Sequence, residues 1–247
     1  MLKALILTSN SVRHEYFANI IASNFKVVGI ISEPKSNYFT KQINESLLVK
    51  KHFEDLAKYE RAYLGSFSSF PQVETLRINK SEINSAETLT WAKSRNANVV
   101  FLFGTGILSE DWLNAFPQKI INLHLGYSPR YRGSATLFWP FFNDEVEYIG
   151  ATIHLAEKKV DAGAILQIIK PKILKDDNYY DINFKTIKVS IDSIANIANS
   201  FFIGDILPVI QSQEEQKYLY LKRDFTEDAL LKVLARYGEK KIAPISR

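Results

Sequence analysis

Leu2-Lys3-Ala4-Leu5-Ile6-Leu7-Thr8, then Ser11 to Ser23, then Phe25-Lys26-Val27-Val28-Gly29-Ile30-Ile31 follow one another at the start of the chain. The first and third are short, nearly continuous apolar runs, the pattern of strands covered on both faces. Between them Tyr16, Phe17, Ile20 and Ile21 recur at helical spacing, and Ser11 is suited to an N-cap. Strand, helix and strand in this order predict a βαβ unit with parallel strands and a right-handed crossover.

The pattern continues outward from this unit. Thr75–Ile78 and Ala97–Phe103 are expected strands, with a helix over Asn84–Ser94 capped by Asn84 or Ser85. Ser109–Phe116 is a short expected helix and Lys119–Leu123 the next strand. Gly126–Gly133 is expected as a loop and Ala135–Phe142 as a short buried helix. Tyr148–Ala156 and Ala164–Ile169 are further strands, separated by an Asp161-Ala162-Gly163 turn. Asp181–Phe202 carries a stripe of Ile182, Ile187, Ile191, Ile194, Ile197 and Phe201 and is the clearest helix. The polar, lysine-rich stretch 32–71 is expected as a mobile or substrate-specific insertion with one helix. Lys217–Lys222 alternates like a strand, and Glu227–Tyr237 follows as a helix capped by Thr226. The expected fold is an α/β doubly wound, mostly parallel, Rossmann-like sheet over residues 1–205, with a small C-terminal strand–helix appendix over 206–247.

The chain has 247 residues, 46% of them hydrophobic and 23% charged, which excludes disordered and low-complexity classes. No cysteine occurs, so disulfides, thiolate nucleophiles and Cys-ligated metals are excluded, in keeping with a reducing, cytoplasmic setting. The net charge of +4 is spread along the chain, which argues against nucleic acid as a partner. No stretch reaches the ~20 apolar residues that span a bilayer, and the apolar start lacks a basic lead and cleavage site, so no membrane partner is expected.

In open α/β sheets ligands sit beyond the C-terminal strand ends. Three such ends carry chemistry: Thr8-Ser9-Asn10-Ser11, Gly104-Thr105-Gly106 and Asn122-Leu123-His124. Asn122 and His124, two apart on a strand, point the same way. An amide there can stabilise an oxyanion and an imidazole can move a proton; the same spacing also suits a strand end that caps a loop. An Asp161 close to a histidine would orient it and favour its charged form. Arg130 and Arg132 can clamp a phosphate or carboxylate. Asn10 and Ser11 put polar groups at a helix N-terminus, where anions are welcome. No GxxxxGK or GxGxxG occurs at the expected place, which disfavours nucleotide hydrolysis and dinucleotide redox chemistry. The histidines show no metal-ligand spacing, and no metal is expected.

Asn122-Leu123-His124, Tyr131-Arg132-Gly133, Gly150-Ala151-Thr152-Ile153-His154 and Val160-Asp161-Ala162-Gly163-Ala164-Ile165-Leu166, in this order and at these intervals, resemble the folate-dependent formyltransferase family. The resemblance spans about Leu2 to Lys170. It implies transfer of a formyl group from 10-formyltetrahydrofolate to a primary amine, with Asn122, His124 and Asp161 as the catalytic trio. It also implies folate binding beside Phe103, Gly104, Thr105, Gly106, Ile107 and Leu108 and beside Val160 and Gly163. In the family the usual pattern after the histidine runs His-x-Ser; here Gly126 stands at the serine position.

Within the family, Ser128-Pro129-Arg130-Tyr131-Arg132-Gly133 with Phe138-Trp139-Pro140 is similar to members of surface-polysaccharide pathways that act on nucleotide-linked amino sugars. Asn10, Ser11, Arg13, His14 and Arg132 are then the candidate substrate contacts. From Glu214 onward 8 Lys/Arg stand against 6 Asp/Glu, too balanced for a tRNA-holding domain. Methionyl-tRNA or a small metabolite is the alternative acceptor, and a non-catalytic folate- or nucleotide-binding module the alternative class. The Lys217–Lys222 strand can either make a homodimer contact or fold back on its own chain.

Overall fold

The computed structural model describes residues 1–35 and 46–238. A seven-stranded sheet runs in the order β3-β2-β1-β4-β5-β7-β8. Its strands are β1 (Lys3–Thr8), β2 (Lys26–Ser32), β3 (Thr75–Arg77), β4 (Val99–Phe103), β5 (Ile120–His124), β7 (Ala151–Leu155) and β8 (Ile165–Ile169). The first five pair in parallel, and β7 and β8 close the sheet antiparallel.

Alternation along the central strands divides the core into two layers. In β1, Ala4 and Ile6 face one cluster while Leu5 and Leu7 face another; Phe101 and Val100 divide likewise in β4. The first cluster is covered by α1 (Val12–Asn24) and α6 (Tyr179–Phe202), the second by α3 (Ala86–Ser94) and α4 (Glu110–Ala115). A fully buried Leu, Ile or Phe is worth about 2 kcal/mol, so strands covered on both faces anchor the sheet. Ser85 caps α3 by accepting the Thr88 amide. Helix α6 begins two residues before Asp181, because the Asn178 side chain accepts the Tyr180 and Asp181 amides while Asp181 receives the Asn178 amide.

The stretch 32–71, expected as a mobile or substrate-specific insertion, carries its one expected helix in its described part. Helix α2 (Leu47–Leu64) is docked onto α6 and α1. His52 Nδ1 meets the Tyr180 hydroxyl at 3.0 Å, Asn178 donates to the Tyr59 hydroxyl and Tyr63 donates to Asp181. Glu60 pairs with Arg13 at 2.5 Å. Residues 36–45 of that stretch lie outside the described residues.

The expected loop Gly126–Gly133 is corrected. Its last three residues form β6 (Tyr131–Gly133), which pairs in parallel with β9 (Tyr218–Tyr220). The C-terminal strand therefore folds back onto its own chain. Tyr220 stacks on Trp139 of α5 (Trp139–Phe142) at 3.8 Å, and α7 (Glu227–Tyr237) completes the aromatic cluster. Glu145 joins the layers: it accepts from both guanidinium arms of Arg130, from Tyr131 and from Lys217.

Three histidines are buried without charge. Burial lowers His52 to about 4, His154 to about 4 and His14 well below the ordinary imidazole value. Unfolding exposes them to water, where they take up protons near pH 6.5. The unfolded state thus binds more protons between about pH 6.5 and 4, and stability falls as pH drops through that window. Each ring contributes a slope of up to about 1.4 kcal/mol per pH unit. Denaturant titrations at pH 7, 6 and 5 should show this, with His52→Gln removing about one proton from the slope. An unchanged slope in that variant would contradict a neutral, buried His52.

Candidate active site

The C-terminal ends of β4 and β5 and the turn between β7 and β8 meet at one cleft with a cavity of about 120 Å³. Its wall is made by Gly104, Thr105, Gly106, Ile107 and Leu108 after β4, by Asn122 and His154, and by Val160 and Asp161. Phe103 lies beneath, buried against His14 and Phe17.

Asp161 approaches from the β7–β8 turn, with its backbone in the left-handed region at φ 53°. Aspartate tolerates that region better than most residues, at a cost of about 1 kcal/mol. Gly163 leaves the turn against the Leu155 carbonyl, so close that a Cβ would overlap that oxygen. Together these residues deliver the Asp161 carboxylate to 3.3 Å from His124 Nδ1. The other ring nitrogen, Nε2, faces the Tyr131 carbonyl at 3.2 Å. Each ring nitrogen thus faces an oxygen acceptor.

Asn122 is oriented by His154, which stands directly across the β5–β7 pairing. His154 Nδ1 donates to the Leu155 carbonyl at 2.8 Å, leaving Nε2 as an acceptor for the Asn122 amide at 3.0 Å. This tautomer directs the Asn122 nitrogen, and it suits a ring kept neutral by burial and by the neighbouring His124. His154 Nε2 also lies 4.0 Å from Asp161. Asn122, His154, Asp161 and His124 thus form one polar network. His154 closes the Gly150–His154 stretch that helped carry the family resemblance, but its link to Asn122 depends on antiparallel register, which a single sequence does not reveal.

Gly126 explains how His124 fits. A Cβ at this position would overlap His124 Nε2 and lie 2.6 Å from Thr136 Cβ. The loop is held from beneath by Thr152, which donates to the Gly126 carbonyl and accepts the Ser128 amide. On the other flank, Glu33 at the end of β2 accepts the Gly106 amide at 2.6 Å and pins the loop after β4. Burial raises the Glu33 carboxyl, with the Gly106 contact opposing it. An acidic residue right after a buried strand was the sequence signal for it.

The candidate substrate contacts divide. Asn10 is exposed and accepts the Lys35 amide. Arg13 sits at the start of α1 with Lys35 nearby. Burial works against the Glu60 charge, but Arg13 and Lys35 outweigh it and keep that carboxyl below its ordinary range. Ser11 and His14 are turned to each other, with Ser11 Oγ 2.7 Å from His14 Nδ1 and the Ser11 amide on the same nitrogen. His14, a candidate substrate contact, is buried and neutral, so it brings no positive charge to a phosphate. Arg132 does not fit that role either. It is 5% exposed, with Nη1 on Gln216 at 2.8 Å and Nη2 on the Val160 carbonyl, beneath the Asp161 turn.

Among the described residues no cluster of His, Asp or Glu could hold a metal, and no helix is long and apolar enough to cross a membrane.

The formyl transferase family model matches residues 6–194, a span that holds the whole network. The chain belongs to the formyl transferase family. Solved structures share its fold at low identity. A sugar N-formyltransferase from a Shewanella species matches with a TM-score of 0.61 at 18% identity, covering 97% of this chain and 92% of that one. The formyltransferase PseJ from Anoxybacillus kamchatkensis, solved with UDP-4,6-dideoxy-4-formamido-L-AltNAc and tetrahydrofolate, matches at 0.55 and 16%, covering 97% and 100%. Phosphoribosylglycinamide formyltransferase from Anaplasma phagocytophilum matches at 0.59 and 17%, covering 90% and 98%. This formyltransferase therefore shares one fold with enzymes named for different acceptors.

Proposed function

We propose that this formyltransferase moves the formyl group of 10-formyltetrahydrofolate to the primary amine of a nucleotide-linked amino sugar. The observation that carries the reading is one network in which Asn122 and Asp161 line a cleft with a backbone-rich wall and the buried His124 stands against Asp161. The fit to a folate is chemical. Gly104–Leu108 offer main-chain donors and acceptors, and the exposed Ile107 and Val160 offer apolar surface for a flat ring. When bound, 10-formyltetrahydrofolate supplies the activated formyl carbon.

The protein's part follows from its own groups. Asn122, directed by His154, gives an N–H to the oxyanion that develops as the amine attacks the formyl carbon. His124, held between Asp161 and the Tyr131 carbonyl, lends positive charge beside the same oxygen when protonated, and a fixed donor such as the Asn122 amide is worth ~3–4 kcal/mol. Asp161 holds His124 in its charged, oriented form and accepts the amine proton, through water, for delivery to the leaving nitrogen. The amine must be neutral to attack, so the rate falls at low pH.

The sugar assignment is supported by Arg13 at the start of α1 and Lys35 after β2, two cations sharing the single Glu60 carboxylate beside Asn10, Ser11 and the buried Ser9, which leaves net positive charge for phosphate oxygens. It is supported also by a solved relative of the same fold bound to a UDP-linked formamido sugar. A product of that class suits cytoplasmic supply of surface-polysaccharide assembly. The fold likeness to a phosphoribosylglycinamide formyltransferase keeps a small phosphorylated amine as the second acceptor class.

A mass-spectrometric transfer assay tests the reading. Enzyme and 10-formyltetrahydrofolate are mixed with UDP-, dTDP- and GDP-linked amino sugars and with phosphoribosylglycinamide. A gain of one formyl mass on a single sugar nucleotide is the expected result. Gain on phosphoribosylglycinamide alone transfers the assignment to the second class. No gain on any acceptor, with folate still raising the melting temperature, discards both.

A further inference from the structure

The turn that bears Asp161 exposes three backbone carbonyls to side chains from elsewhere. Gln211 Nε2 donates to two of them, Asp161 O at 3.0 Å and Gly163 O at 2.8 Å. Arg132 takes the third, Val160 O, and is itself held by Gln216. The backbone sets Gln211 in register with the turn. Val209 and Ile165 exchange both main-chain bonds, at 2.7 and 2.8 Å, two residues before Gln211 and two residues after Gly163. The amide orientation needs no choice, because two carbonyl oxygens can face only the nitrogen end. Gln211 Oε1 is left buried without a partner, so the side chain forgoes one bond while making the other two.

Asp161 is one of the few described non-glycine residues with a left-handed backbone. Such a conformation persists only where surrounding contacts over-determine it. Its carboxylate must also lie within hydrogen-bond reach of His124, and a shift of about 1 Å in such a group costs on the order of a hundredfold in rate. We infer that Gln211 is a positioning residue for the reaction: the segment after α6 reaches back across β8 and clamps both sides of Asp161, holding its carboxylate against His124. The inference rests on the proposed role of Asp161. It gives residues 209–216 a part in activity although none of them lines the cleft itself.

The test is steady-state kinetics on the full chain in two backgrounds. Gln211→Glu keeps size and shape but, when ionised, turns a carboxylate toward two carbonyls. Gln211→Met removes the donor without adding charge, and stands in if the glutamate variant does not fold. Either folded variant should lose about thirtyfold in kcat, with KM for donor and acceptor unchanged within about twofold. In an Asp161→Asn background the same substitution should cause no further loss, because the positioned carboxylate is already gone. A kcat within about twofold of the parent overturns the inference. So does a rise in KM that accounts for the loss, or an equal loss of kcat in the Asp161→Asn background. Full activity in Asp161→Asn alone would instead strike the proposed role of Asp161, and the positioning role with it.

Discussion

Replacing His124 with alanine is expected to lower kcat for formyl transfer about a thousandfold, close to 4 kcal/mol of transition-state stabilisation. The size follows from how many duties meet at one ring. His124 lies 3.3 Å from Asp161 on one nitrogen and 3.2 Å from the Tyr131 carbonyl on the other, so the ring is held in place before any substrate arrives. A preorganised charge in a partly dry site costs no reorganisation when the oxyanion develops. Alanine removes the ring's charge and the route from Asp161 together. Asp161→Asn keeps size and removes charge, and should cost about a hundredfold, because the ring loses the partner that favours its protonated state. Rates measured on whichever acceptor gains mass decide the matter. A loss under tenfold in either variant would remove that residue from the chemistry.

Gly126→Ser would supply the residue usual at this position in the family, and here it is expected to disable the enzyme. The new Cβ would overlap His124 Nε2 and press on Thr136, whose side chain already occupies the adjacent space and donates to the Leu125 carbonyl. Overpacking of this kind costs about 1–3 kcal/mol where neighbours can move. His124 can move only by leaving Asp161 or Tyr131. Kinetics should therefore suffer more than stability: a fall of about a hundredfold in kcat, beside a melting temperature lower by about 4–8 °C. Combining it with Thr136→Ala frees one side of the serine and should restore part of the stability but little of the rate. Near-parental kcat in the single variant would show that the ring has another productive position.

The parts of this molecule that were legible in its sequence are those with local causes. β1, α1 and β2 were readable because burial on both faces leaves unbroken apolar runs and because Ser11 marks the helix start. Asn122 and His124 were readable because residues two apart on a strand share a side. Asp161 reads as an ordinary turn residue until the resemblance singles it out, and its contact with His124 needed the sheet to close. What escaped depends on distant partners. β6 has three residues and forms against a strand from the chain's last fifth. Arg132 looks like any surface arginine until Gln216 and Val160 bury it. His154 reads as a strand histidine until antiparallel register sets it opposite Asn122. Gln211, in a segment without motif or periodicity, offered nothing to notice.

The pairing of β6 with β9 also orders events in time. Arg132 meets Gln216 across 84 residues of chain. At synthesis rates of about 5–20 residues per second, that interval lasts about 4 to 17 seconds. The five parallel strands can assemble as they emerge, while the loop behind His124 and the turn behind Asp161 still wait for their braces. Chemistry in this enzyme therefore trails folding: full turnover is expected only after Gln211 and Gln216 have been synthesised, well after the strands of the sheet.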